Sequence, residues 1–173
     1  MPDRAVKQPI LVPVDFSVAS EAALLKAFEL AECLKVRVVV LHVVHDPVDM
    51  PGYYTNMVKK KRFARMQDAA RVMLDDFIKK FRKKHSTRKR LKRAERILVI
   101  GLPVTRILQV AEKIDASMVI MGSKGMTGFR HLMLGSVAER VVQLSPQPVL
   151  VVKAPAEEKE GASNESQGSA KDA

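Results

Sequence analysis

Short runs of consecutive apolar residues alternate along the chain with longer stretches in which apolar residues return every three or four positions. The first run, Ile10-Leu11-Val12-Pro13-Val14-Asp15, reads as a buried strand that ends at Asp15. Pro13 argues against a central strand because it cannot donate to a ladder, and it is tolerated only toward a strand's end. Ser17 then offers a hydroxyl to the first turn of a helix, and Leu24, Ala27, Phe28, Ala31 and Leu34 recur at helical spacing. Residues 36–44 (VRVVVLHVV) are nearly all apolar and mostly β-branched, the pattern of a strand covered on both faces. Pro47 and Pro51 mark residues 46–52 as a loop.

Over residues 56–84 the apolar positions Phe63, Met66, Ala70, Met73, Phe77 and Phe81 step by three and four. That spacing predicts a long amphipathic helix whose other face is strongly basic. Residues 96–100 predict a third strand, closed by Gly101-Leu102-Pro103, and Ile107, Leu108, Ala111 and Ile114 mark a short helix. A fourth strand over residues 117–121 runs into Gly122, Val137, Val141 and Leu144 fit a further helix, and residues 148–153 form a last strand. The alternation predicts an α/β fold, an open, mainly parallel five-stranded sheet with helices on both faces. Such sheets bind ligands at the carboxyl ends of their strands, near the point where strand order reverses. The loops to search therefore begin at Asp15, Val43, Gly101 and Gly122.

Composition changes this picture in two places. The 173 residues suit one domain, taken here as residues 1–155. Residues 156–173 are acidic, rich in Ser, Gly and Ala and without large apolar side chains, so a disordered tail is expected. The net charge of +11 is concentrated in residues 59–96, in runs such as Lys59-Lys60-Lys61-Arg62 and Arg88-Lys89-Arg90-Leu91-Lys92-Arg93. Two readings of that region stay open: a solvated helix face with a charged loop, or a surface for nucleic acid or an anionic membrane. No aromatic residue lies between positions 83 and 96, which removes the stacking that single-strand binding favours. No apolar run approaches the roughly 20 residues that cross a bilayer, and residues 1–8 carry charges without the apolar core of a secretory signal. A cytoplasmic location is expected. The single cysteine, Cys33, excludes an internal disulfide and a Cys-based zinc site, and among Leu30, Ala31 and Leu34 it reads as a buried structural thiol. His42 reads as a packed residue rather than a ligand or base, and His45 and His131 have no evident partner.

The candidate chemistry lies in residues 121–137, MGSKGMTGFRHLMLGSV. Glycine lets the backbone approach a ligand closely, so that successive N–H groups can converge on one anion. Ser136 stands where the next helix begins, and a first helical turn adds unpaired N–H groups and the positive dipole end. The Walker pattern is absent, as is GxGxxG after a first strand, so this is a phosphate cradle of another kind.

Gly122-x-x-Gly125, nine residues, then Gly135-Ser136 resembles the G-x2-G-x9-G-[S/T] signature of the ATP-binding branch of the universal stress protein family. The resemblance covers roughly residues 8–154, including PVDFS after the first strand, LHVV in the second, Gly101-x-Pro103-x3-Ile107, and the ending SPQPVLVV. It implies an adenine nucleotide alpha hydrolase-like, Rossmann-like fold and an ATP, ADP or AMP ligand in a regulatory stress-response module. Asp15 matches the acidic residue near ribose and adenine, with Pro13 and Val14 beside it, and Val43 matches a backbone contact to the adenine edge. Met121, Gly122 and Gly125 match residues along ribose and phosphates, and Gly135, Ser136 and Val137 match the group around the outer phosphates. The family often carries Thr where Val14 stands, so one hydroxyl contact is missing. Lys124 and Arg130 are added on charge and proximity in sequence. Mg²⁺ or Mn²⁺ would accompany the phosphates. The absence of an evident base, nucleophile or arginine finger predicts slow or no turnover. The alternative is a weak ATPase or autophosphorylating enzyme with Ser136, Ser123 or Thr127 as acceptor. Family members commonly dimerise through the last strand, so a homodimer through Val149-Leu150-Val151-Val152 is expected.

Overall fold

The computed structural model describes residues 8–45, 55–85, 94–126 and 134–154, with side chains in the second helix from residue 64 onward. The expected tail, the basic run at residues 88–93, and Thr127, Gly128 and Arg130 lie outside the described residues. The elements follow in the order β1 (Ile10–Pro13), α1 (Val18–Leu34), β2 (Val38–Val44), α2 (Thr55–Lys84), β3 (Glu95–Ile100), α3 (Pro103–Lys113), β4 (Met118–Gly122), α4 (Ser136–Leu144) and β5 (Val149–Val152).

The five strands form one sheet in the order β3-β2-β1-β4-β5, and every pairing is parallel. Successive residues of β1 serve opposite faces. Ile10 and Val12 pack with Ala23, Leu24, Ala27 and Phe28 of α1 and Leu74, Ile78 and Phe81 of α2. Leu11 packs on the other side with Ile107, Val110 and Ala111 of α3 and Ala138 and Val141 of α4. This alternation produces three layers and explains why β1 and the first half of β2 carry no polar side chain. Each βα crossover returns the chain to the same sheet edge, so the loops that leave the carboxyl ends gather on one rim.

Local signals set the helix ends. Ser17 caps α1 by accepting from the Ser20 N–H at 3.1 Å, and Pro103 opens α3, where its missing N–H is no loss. Two sequence expectations are corrected here. Cys33 is exposed: the buried stripe of α1 runs through Ala27, Phe28 and Ala31, and two residues beyond Ala31 is about 200° around the helix. Met73 is 52% exposed, while Ala70, Leu74, Ile78 and Phe81 form the buried seam of α2. Steps of three and four through Ala70 describe two adjacent stripes, and the sheet takes the one containing Leu74 and Ile78.

Candidate functional site

Strand order reverses at β1, which pairs with β2 on one side and β4 on the other. The Ile10 N–H donates to Arg37 O at 3.0 Å and the Val14 N–H to Leu41 O at 2.8 Å, both toward β2. With a period of two, the Pro13 nitrogen faces β4, where the register ends at Leu11 opposite Val119. Pro13 is the last residue of β1, at the strand end where the sequence allows it. β1 is nonetheless a central strand, and the proline is tolerated there because its missing donor falls where no ladder bond is made. Beyond that point β1 and β4 part, and a cavity of about 500 Å³ opens between their carboxyl ends. That volume is within the range of about 300–1,000 Å³ usual for small-molecule sites.

One wall is the corner that follows β1. Phe16 has φ 68°, a left-handed conformation that costs a bulky residue about 1–3 kcal/mol. The turn places both oxygens of Asp15 in hydrogen bonds. Oδ1 accepts from the Ser17 N–H at 3.1 Å and from Ser17 Oγ at 2.6 Å. Oδ2 accepts from the Met126 N–H at 3.0 Å, which ties the first loop to the loop after β4. Gly125 makes that approach possible, since a Cβ there would lie 2.6 Å from Asp15 Oδ2.

The opposite wall is built on β4 and α4. A Cβ on Gly122 would lie 2.8 Å from the Ala19 carbonyl carbon and 2.9 Å from the Ser20 nitrogen, so glycine lets β4 end against the start of α1. The Gly135 N–H donates to Ser123 O at 2.7 Å and brings the start of α4 back beside the end of β4. Among the described residues, no side-chain hydrogen bond caps α4. Ser136, Val137 and Ala138, whose first-turn N–H groups have no partner within the helix itself, line the cavity. Lys124 lines the same end.

The structure brings together eleven of the twelve residues expected from sequence. Pro13, Val14, Asp15 and Val43 meet Met121, Gly122, Lys124 and Gly125 across the cavity, and Gly135, Ser136 and Val137 complete the rim. The twelfth, Arg130, lies outside the described residues. Leu41, Pro103 and Ile107, not expected at the site from the sequence, also line the cavity, as does His42, which the sequence reads as a packed residue. Leu41 was legible as the same-face neighbour two residues before Val43. Ile107 read only as helix core, although its place near the start of α3 puts it at the rim. The apolar walls suit a planar base, and the N–H-rich end suits an anion. Of the suggested phosphate acceptors, Ser123 is buried and Ser136 is exposed. Among the described residues, no three His, Cys, Asp or Glu side chains gather as metal ligands, and no helix is long and apolar enough to cross a membrane.

Residues 7–153 match the model of the Universal stress protein family. A universal stress protein of Methanocaldococcus jannaschii is 30% identical over 161 residues, covering 83% of this chain and 93% of that protein. A solved universal stress protein from Lactobacillus plantarum has a TM-score of 0.70 at 23% identity, covering 86% of this chain and 99% of that one. Another, from Archaeoglobus fulgidus and solved in complex with dAMP, has a TM-score of 0.52 at 24% identity, covering 86% of this chain and 99% of that one. The two structural likenesses bear on the fold.

Proposed function

The chain belongs to the universal stress protein family, and on that footing we propose that its cavity binds an adenine nucleotide, ATP or the related ADP or AMP, in a regulatory stress-response module with slow or no turnover. The observation that carries this reading is convergence: residues from four separate segments, chosen for nucleotide chemistry, line one cavity at the switch point of the sheet. Leu41, Val43 and Ile107 offer the base an apolar slot. The Asp15 carboxylate offers acceptors for ribose hydroxyls, and the Gly122–Gly125 backbone with the first turn of α4 offers donors to phosphate. Lys124 supplies positive charge at that end, and Mg²⁺ or Mn²⁺ would arrive with the phosphates.

Slow or no turnover is supported by the engagement of Asp15, the carboxylate in the cavity lining. Both oxygens of Asp15 accept hydrogen bonds from the protein, and His42 Nδ1 lies 2.8 Å from Val14 O. With Nδ1 donating to that carbonyl, Nε2 of a neutral imidazole keeps its lone pair, so the turnover assay decides the rate. Mass spectrometry of small molecules released from purified protein, with melting curves in the presence of ATP, ADP and AMP, tests the reading. A co-purifying adenine nucleotide or a raised Tm is expected, and failure of both refutes it. Turnover above about one per minute would move the site to the enzyme class, whose members typically manage about 1–1,000 per second.

A homodimer through β5 is part of the same proposal. The strand is an edge, and Leu150 is 39% exposed on it, so its unpaired rim can take a second copy. Light scattering at micromolar concentration is expected to report twice the chain mass, and a monomer would contradict it.

A further inference from the structure

The carboxylate in the cavity sits on a corner that its own residues do not favour. Phe16 holds φ 68°, in a region that a bulky side chain enters only when its surroundings impose it. The surroundings are identifiable. The Phe16 ring packs on the His42 imidazole with centroids 4.3 Å apart, and it meets Phe77 of α2 edge-on at 5.6 Å. His42 Nδ1 lies 2.8 Å from Val14 O. A carbonyl oxygen only accepts, so Nδ1 carries the hydrogen and donates it. One imidazole therefore grips both sides of Asp15, the residue before through the backbone and the residue after through the ring.

We propose that His42 is the positioning residue of the site, with Phe16 and Phe77 as its backing. It holds the strained corner in the one arrangement that delivers Asp15 Oδ2 to the Met126 N–H and presents the carboxylate to a ligand. Among the described residues, no side chain of α2 lines the cavity, yet Phe77 reaches the corner through Phe16. Ligand affinity thus depends on a contact from a helix outside the site. The identity of the ligand rests on the nucleotide reading above, but the positioning of Asp15 does not, and the two are tested separately.

The experiment follows the Met126 amide by NMR in the full chain, with Asp15→Ala marking its resonance when the bond is absent. His42→Phe keeps a ring on Phe16 and removes the donor to Val14. It is expected to move the Met126 amide most of the way to its Asp15→Ala position, while the Leu11 and Val12 amides in β1 stay in place. ADP affinity is expected to fall about tenfold, the worth of one hydrogen bond to a charged group. His42→Asn keeps a nitrogen donor near Nδ1 and is expected to recover part of both effects. Phe77→Leu, which keeps apolar volume, is expected to shift the amide slightly in the same direction. A Met126 amide unmoved in His42→Phe overturns the proposal, and so does equal disturbance of Leu11 and Val12, which marks a merely structural histidine. If wild-type protein binds no adenine nucleotide, the functional reading fails while the amide measurement still decides the role of His42.

Discussion

The glycine-bearing loop after β4 and the cationic helix α2 both depart from an average sequence, and the fold uses them differently. In the loop, the unusual residues converge. Gly122 closes on Ala19, Gly125 on Asp15, and Gly135 is the N-cap of α4, all around one cavity. Among the described side chains of α2 the basic residues lie on the outer face, and the inner face is an ordinary seam of Ala70, Leu74, Ile78 and Phe81. Several of its outer charges are paired: Lys84 with Glu21 at 2.8 Å, Lys79 with Asp76 at 3.6 Å, and Asp75 with Arg96. Exposed pairs of this kind are worth about 0–1 kcal/mol each. The loop lies at the carboxyl rim of the sheet, where folds of this kind bind ligands, whereas the basic face of α2 lies on the outside, where it contributes a positive field.

That contrast can be broken at four points of decreasing weight. Leu74→Ala, in the seam of α2 and 3% exposed, is expected to cost about 2–5 kcal/mol of unfolding free energy, read by urea denaturation, without changing which ligands bind. Gly122→Ala sets a Cβ against the backbone of Ala19 and Ser20 and is expected to cost about 1–3 kcal/mol, with ligand affinity falling in parallel. Gly125→Ala meets only the end of the Asp15 side chain. The carboxylate can swing away, so stability should change by less than about 0.5 kcal/mol. Adenine nucleotide affinity is expected to fall about tenfold as Asp15 loses its place. Replacing Lys79, Lys80 and Lys83 together by Glu should leave ADP affinity within about twofold, because the Debye length of about 8 Å at physiological salt screens the outer face from the cavity. A large loss of ADP affinity in that last variant, measured by calorimetry, would mean that the helix face belongs to the site after all.

Much of this was legible in the chain. The βα alternation follows from apolar runs and 3.6-residue spacing, and the switch-point rule directs attention to the loops after Asp15, Val43 and Gly122. What stayed hidden depends on tertiary choice. Pro13 argues against a central strand until the register shows that its nitrogen faces the side where pairing with β4 has stopped. Cys33 reads as buried beside Ala31 and Leu34, but the sheet selects the stripe through Ala27, Phe28 and Ala31, and Leu34 is itself 44% exposed. Met73 and Leu74 are both apolar neighbours on one helix, and only the position of β2 and β3 decides between them. His42 reads as a packed residue, but its contacts could not be assigned, since its partners Val14 and Phe16 come from another strand and the corner beyond it. The left-handed Phe16 leaves no mark in composition, because nothing about a phenylalanine announces positive φ.

The central claim is that the cavity between β1 and β4 is an adenine nucleotide site organised by Asp15 and the glycine loop. Isothermal titration of ADP into nucleotide-stripped wild-type protein and its Gly125→Ala variant tests it most directly. The expected result is saturable binding at one site per chain in the wild type and binding about tenfold weaker in the variant, with the two melting temperatures unchanged in the absence of ligand. No binding to the wild type, or equal affinity in both proteins, would contradict it.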